Sequence, residues 1–402
     1  MRHISYAALT AVGMMACTSA HAWDYKIGNQ TLSFHGFASQ GVIASSDYNY
    51  LGHSNDGSFE FNEFGLNASI SPFNRTRISV QGFMFDVGNV GNYNPFLDYA
   101  SIEYTFNDHI GIRGGRVRRP GGIYNHIQDV DLARTSILLP QGMYDARWRD
   151  FSTSIDGVVV FGNTSLGKVG GLSYEVYGGY MELSDEGGVA KQIQNGLPPA
   201  PIGSFDSLER NPVIGAQLWW QTPVDGLRAG ASYGYLMDFT YNFAVNPPFG
   251  AGAMSSESNI PYQQYSLEYA WKNWTFQAEY YTYVVNSRTY VGNVNVARGK
   301  SHPDSWYVGA AYRFNKWFEA GTYYSEFYGN IDNRNGTGAA VSSDAYQKDL
   351  ALSLRFDVKD WWILKLEGHR IQGTGQLNNA SLNPVRDERT WYMLAAKTTF
   401  SF

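Results

Sequence analysis

Between Arg113 and Asp150 the chain carries seven arginines and four aspartates, with no lysine and no glutamate. That stretch is +3, in a chain whose formal net charge is −6. A guanidinium stays charged at any working pH, and its planar fork binds carboxylate or phosphate in a bidentate way. Set across a narrow passage of low dielectric, such charges select ions more strongly than they would in bulk water. The residues nominated for this role are Arg113, Arg116, Arg118, Arg119, Asp129, Asp131, Arg134, Asp145, Arg147 and Arg149. A second reading stays open. The arginines would pair with the aspartates and serve only to hold the segment against a wall.

Other chemistry is sparse. The eight histidines are scattered, with no H-E-x-x-H and no pair at ligand spacing. No Walker loop and no G-x-S-x-G occurs, and the single cysteine is Cys17. No catalytic residue, metal ligand or cofactor site is nominated, and no enzymatic activity is expected. The acidic balance gives no support for a nucleic-acid partner.

The elements that must position the arginines follow from composition and period. Charged residues are 16% and aromatics 16%, with 43 Gly and one Cys, while mean hydropathy is −0.32. That combination suits β-structure alternating between two environments. Arg2 and His3, the apolar run Tyr6 to Cys17 and the end Ala20-His21-Ala22 follow the plan of a cleaved signal peptide over 1–22. Lipoprotein processing at Cys17 is the rival reading. Cleavage after Ala22 would leave 23–402 as a Cys-free chain of net charge −7, since Arg2 is lost.

Beyond residue 22 no window approaches the 18 consecutive apolar residues of a transmembrane helix. What recurs is period-2 alternation. Leu350, Leu352, Leu354, Phe356 and Val358 alternate with small or charged residues, as do Tyr392, Leu394, Ala396, Thr398, Phe400 and Phe402. Short connections near 71–74, 107–109, 163–170, 222–226, 272–273, 315–316 and 359–360 alternate with long ones. The long ones lie near 46–57, 88–95, 117–150, 184–209, 243–258, 287–302, 329–345 and 373–388. Seven short and eight long connections join sixteen strands. The reading is an all-β transmembrane antiparallel barrel with short periplasmic turns and long extracellular loops.

Closure follows from the solvent. Hydrocarbon offers no partner for a backbone N–H or C=O, so an open sheet edge cannot be left in it. Trp271 and Trp274, Phe314 and Trp317, and Trp361 and Trp362 flank or follow tight turns and read as an interfacial aromatic girdle. Parity places Glu63, Arg77, Glu103, Asp156, Glu175, Arg228, Glu268, Glu279, Arg313, Glu319, Arg355, Asp357, Lys365, Glu367 and Lys397 inward. Both signs face the lumen, which favours a wet one. Tyr281, Tyr283, Tyr307 and Tyr323 share that face, as a sugar guide or as aromatic filler.

The sequence resembles the Gram-negative porin superfamily of sixteen-stranded outer-membrane channels. The likeness rests on the opening strand Leu32-Ser33-Phe34-His35-Gly36-Phe37-Ala38, the ending Thr399-Phe400-Ser401-Phe402, and a longest third connection. The third-loop run from Gly115 to Tyr144 is loosely similar to those of phosphate-selective-type porins. The resemblance implies a channel for small hydrophilic solutes and ions in the outer-membrane lipid, usually a homotrimer. It also implies a third loop folded into the lumen and a terminal Phe402 read by the barrel-assembly machinery. The local +3 charge adds an expectation of mild anion preference. A substrate-specific channel for an anion or oligosaccharide is the alternative, with a non-channel adhesin or outer-membrane hydrolase behind it.

Overall fold

The computed structural model describes residues 23–198, 202–248, 250, 252–377 and 382–402, so the expected signal segment 1–22 lies outside the described residues. Twenty strands form one sheet. The first eight are β1 (Trp23–Ile27), β2 (Gln30–Ser45), β3 (Phe61–Ile70), β4 (Thr76–Val87), β5 (Phe96–Asn107), β6 (Ile110–Arg118), β7 (Ser154–Ser165) and β8 (Gly171–Met181). Then come β9 (Gly203–Leu208), β10 (Asn211–Gln221), β11 (Leu227–Val245), β12 (Gly252–Trp271), β13 (Trp274–Tyr283), β14 (Val285–Val291) and β15 (Val294–Ser301). The last five are β16 (Asp304–Arg313), β17 (Phe318–Tyr328), β18 (Tyr346–Lys359), β19 (Trp362–Gly373) and β20 (Thr390–Ser401).

Sixteen of these are staves of a closed antiparallel barrel, the remaining four being β1, β9, β14 and β15. Closure is made by β20 on β2, from Phe37↔Ser401 to Ser45↔Met393. No stave is left with a bare edge, which is the condition hydrocarbon imposes. Alternation then sorts the side chains. Leu66, Ile102, Val308, Leu352, Leu366 and Leu394 stand on the outer face, exposed as a lipid-facing belt. Ser39, Gln81, Ser266, Glu279, Lys365 and Glu367 point inward and are buried. Aromatic rings gather at the turn end: Trp274 lies 5.5 Å from Phe276, and Trp361 and Trp362 lie 6.0 and 5.6 Å from Phe400.

Two expected loops contain strand instead. The stretch 243–258 is largely the upper part of a tall β11–β12 hairpin, running to Val245↔Gly252. The stretch 287–302 is mostly the β14–β15 hairpin, in register from Val285↔Ser301 to Val291↔Val294. Both are polar on both faces because they project past the membrane belt, so they lack the alternation that marks a stave. The interior is not uniformly wet. Ile137 and Leu138 of the third connection pack with Phe83, Phe85, Trp391 and Met393 in one cluster, and Ile123, Leu139 and Tyr144 with Tyr307 and Tyr323 in another.

Candidate functional site

The third connection, 119–153, leaves the wall after β6 and returns at β7. Its only regular pieces are short: 3-10 turns at Asp131–Ala133 and Ala146–Trp148, and the one-turn helix α1 (Arg149–Ser152). Buried backbone polar groups without a ladder need other partners. The barrel wall supplies them. Glu279 on β13 accepts from the Ile123 N–H at 2.9 Å and from the Tyr144 and Tyr307 hydroxyls at 2.6 and 2.9 Å. Glu367 on β19 accepts from the N–H groups of Ile137 and Leu138 at 2.7 and 2.8 Å. Thr135 donates to Glu319 on β17. Lys365 Nζ donates to the carbonyls of Asp131 and Ser136 at 2.8 and 2.9 Å, and Gln217 on β10 donates to the Gly122 carbonyl at 3.0 Å. The loop is latched into the lumen on walls far from its own strands.

Most of the nominated arginines and aspartates close on one another or on the wall. Arg118 and Arg149 both pair with Asp98 and Asp129, forming a four-membered cluster to which Gln81 donates from β4 at 2.9 and 3.1 Å. The Arg149 and Asp98 side chains are 4% and 0% exposed, so the cluster is dry. Burial alone would raise the Asp129 carboxyl, but Arg118 and Arg149 outweigh it and hold it well below the usual carboxylate range. Asp131 sits among Lys397 at 2.8 Å, Arg134 at 3.2 Å and Lys365 at 3.7 Å, and those cations likewise overcome its burial. Arg147 pairs with Asp145 at 2.6 Å. Arg119 is buried without a carboxylate partner among the described residues; it donates to the Tyr262 hydroxyl at 2.6 Å and stacks over that ring.

Two nominated positions lie elsewhere. Arg116 and Asp156 form a bidentate pair on the outer face, opposite Tyr180, which is exposed. The inward assignment of Asp156 is therefore corrected. Ile155 and Val159 are the buried, lumen-facing residues of β7, and the apolar run Val158-Val159-Val160 hides which parity is inward. Arg116 consequently does not front the lumen. Arg113 does: it reaches Glu103 at 2.7 Å and Glu175 at 3.7 Å, with its side chain 23% exposed. His126, bonded to Glu175 at 3.0 Å, is the loop residue that joins this wet group. Further half-exposed pairs lie nearer the turns: Arg228–Glu268 at 2.9 Å, and Arg313 with Glu319 at 2.6 Å and with Asp357.

Sequence reasoning missed Asp98, which enters the lumen at the register shift opposite Gln81/Gly82. It placed Glu279, Glu367 and Lys365 on the inner wall but had no signal for their role as latches. Tyr307 and Tyr323 are buried, donating to Glu279 and to Asp349, so they belong to the latch and do not line a sugar path. At the seam, Phe402 exchanges backbone hydrogen bonds with Gly36 at 2.9 and 3.1 Å, and its ring stacks 4.6 Å from Trp23. A Cβ on Gly36 would fall 2.6 Å from that ring, so the glycine makes the seat.

No family model matches the chain, and no curated protein matches it in sequence. Solved structures do. In-vitro folded OmpT, an outer-membrane protein of Vibrio cholerae, superposes with a TM-score of 0.57 at 12% identity, over 95% of this chain and 100% of its own. The trimer form of that protein gives 0.54 at 13%, over 93% and 100%. An anion-selective porin from Comamonas acidovorans gives 0.54 at 12%, also over 93% and 100%. The fold is that of an outer-membrane porin. Within the porin fold the latched third connection is what narrows the lumen here, and the fold is one usually found in channels that carry out no catalysis.

Proposed function

We propose that this chain forms a water-filled channel through the outer membrane for passive diffusion of small hydrophilic solutes and ions. The observation that carries this is the sorting of charge: an apolar outer belt, and half-exposed Arg–carboxylate pairs left along the lumen beneath the latched loop. Turns would face the periplasm and loops the outside, with 1–22 removed on export. The OmpT trimer form supports a homotrimeric assembly. The mild anion preference expected from the loop narrows to near-neutrality, because its arginines are answered by wall carboxylates that the loop sequence does not contain. Reconstituted protein should give steady nanosiemens-scale steps in planar bilayers. A silent, correctly folded protein would overturn the channel.

Phe402, seated on Gly36 and Trp23, fits a role as the assembly signal. Deleting it should lower the heat-modifiable folded fraction in the outer membrane; unchanged levels would count against that role.

A further inference from the structure

The largest well-formed cavity described in the molecule lies outside the latched loop, at the loop end of the β5–β6 wall. It encloses about 520 Å³, within the range of small-molecule sites. Its origin is in the register. β5 and β6 pair from Asn107↔Ile110 only as far as Ala100↔Arg116, and beyond that the two strands part. The gap is framed by the connection 88–95, by residues 182–188, and by Asp150 and Thr153 from the end of the third connection.

The lining is half apolar and half acidic. Phe85, Phe96, Leu97 and Leu183 give it a greasy floor. Of the charged groups, Arg116 is occupied by Asp156 and Glu182, and Asp98 by Arg118 and Arg149. Glu186 is exposed and makes no ion pair among the described residues. Asp150 is the unusual member. Its Oδ1 accepts only from the next backbone N–H, that of Phe151 at 3.0 Å, while its Oδ2 is buried with no hydrogen-bond partner. That oxygen lies against Gly187, another lining residue: a Cβ there would fall 2.0 Å from it. A buried acceptor with nothing donating to it is costly, and a native structure needs a reason for it.

We infer that this cavity binds a small organic cation with an apolar body, its ammonium on Asp150 and Glu186 and its apolar part on Phe85, Phe96 and Leu97. A cation supplies the donors that Asp150 lacks, and the desolvated site strengthens the charge-assisted bond. An anion would meet an excess of carboxylates, and a neutral molecule would leave Asp150 unanswered.

The test is titration calorimetry on the full-length protein in detergent, with 2-phenylethylammonium as the probe. Saturable one-to-one binding is expected, with 2-phenylethanol and 3-phenylpropanoate at least tenfold weaker. Asp150→Asn and Glu186→Gln should each weaken the probe fivefold or more. Gly187→Ala should do the same by placing a methyl group where the Asp150 carboxylate sits. Heat-modifiable mobility checks that each variant is folded. Equal binding of the alcohol, or full binding in both Asp150→Asn and Gly187→Ala, would overturn the site. Cation-free conductance is read separately, so a silent channel would count against the channel reading alone.

Discussion

The charges of this barrel fall into a dry group and a wet group, built from the same residue types. In the dry group Arg118, Arg149, Asp98 and Asp129 neutralise one another under the third connection, and Asp131 is enclosed by Lys365, Lys397 and Arg134. In the wet group Arg113, Glu103 and Glu175, then Arg228 and Glu268, keep a fifth to a quarter of their side-chain surface in reach of solvent. The difference is location and not chemistry. A charge that is answered and desolvated acts as a fastener. A charge of the same type in contact with the aqueous path acts on a passing ion, because exposed charges beyond about 8–10 Å are screened at physiological salt.

The sharpest way to break this comparison is to unbalance the dry group. Asp129→Ala strands both Arg118 and Arg149, and removing one partner of a buried pair costs about 3–5 kcal/mol. The loop should then undock, giving larger and noisier single-channel steps and a lower unfolding temperature. Steps of unchanged size and noise would mean that the cluster does not hold the constriction.

A middle-sized effect belongs to the wet group. Arg113→Ala leaves Glu103 and Glu175 facing the lumen with only His126 beside them, so the reversal potential in a salt gradient should move toward cations. Arg134→Ala removes the same formal charge from the dry group, yet should move the potential far less. Equal shifts would erase the distinction, and a larger shift from Arg134 would reverse it.

This division marks what could be read from the sequence. The staves were legible because lipid on one side and lumen on the other force period 2, as at Leu350 to Val358. The long third connection was legible as an interruption of that rhythm. The neutrality of its charge was not. The loop sums to +3 over its own residues, but its balancing groups are Glu319, Glu367 and Asp98, brought in by barrel closure and by one register shift. Ile137 and Glu367 meet across 230 positions, a separation that no local pattern encodes. The outward turn of Asp156 was hidden for a different reason: three consecutive valines offer both parities equally.

Asp150 stands between the two groups, buried like the first and unpaired like the second, and it makes the smallest and most specific prediction. Burial pushes its carboxyl from the ordinary 3.8 up to about 7. The groups around it are Arg147 and Arg149 from its own segment, Asp98 and Arg116 from β5 and β6, and Glu182 and Glu186 from the next connection. Both arginines are already engaged by aspartates. Gly187, against which the carboxylate lies, immediately precedes the helix α2 (Gly188–Gly196). A raised acid holds its proton longer in the docked state than in the free one. Docking is therefore fully favoured below about pH 4, weakens as pH rises, and loses this contribution above about pH 7. Amide exchange of α2, corrected for its intrinsic pH dependence, should be slower at pH 5.5 than at pH 8. Asp150→Asn should hold the helix at its acid-side protection at both values. A helix equally protected at both pH values in the unmodified protein would show that Asp150 keeps its charge without cost.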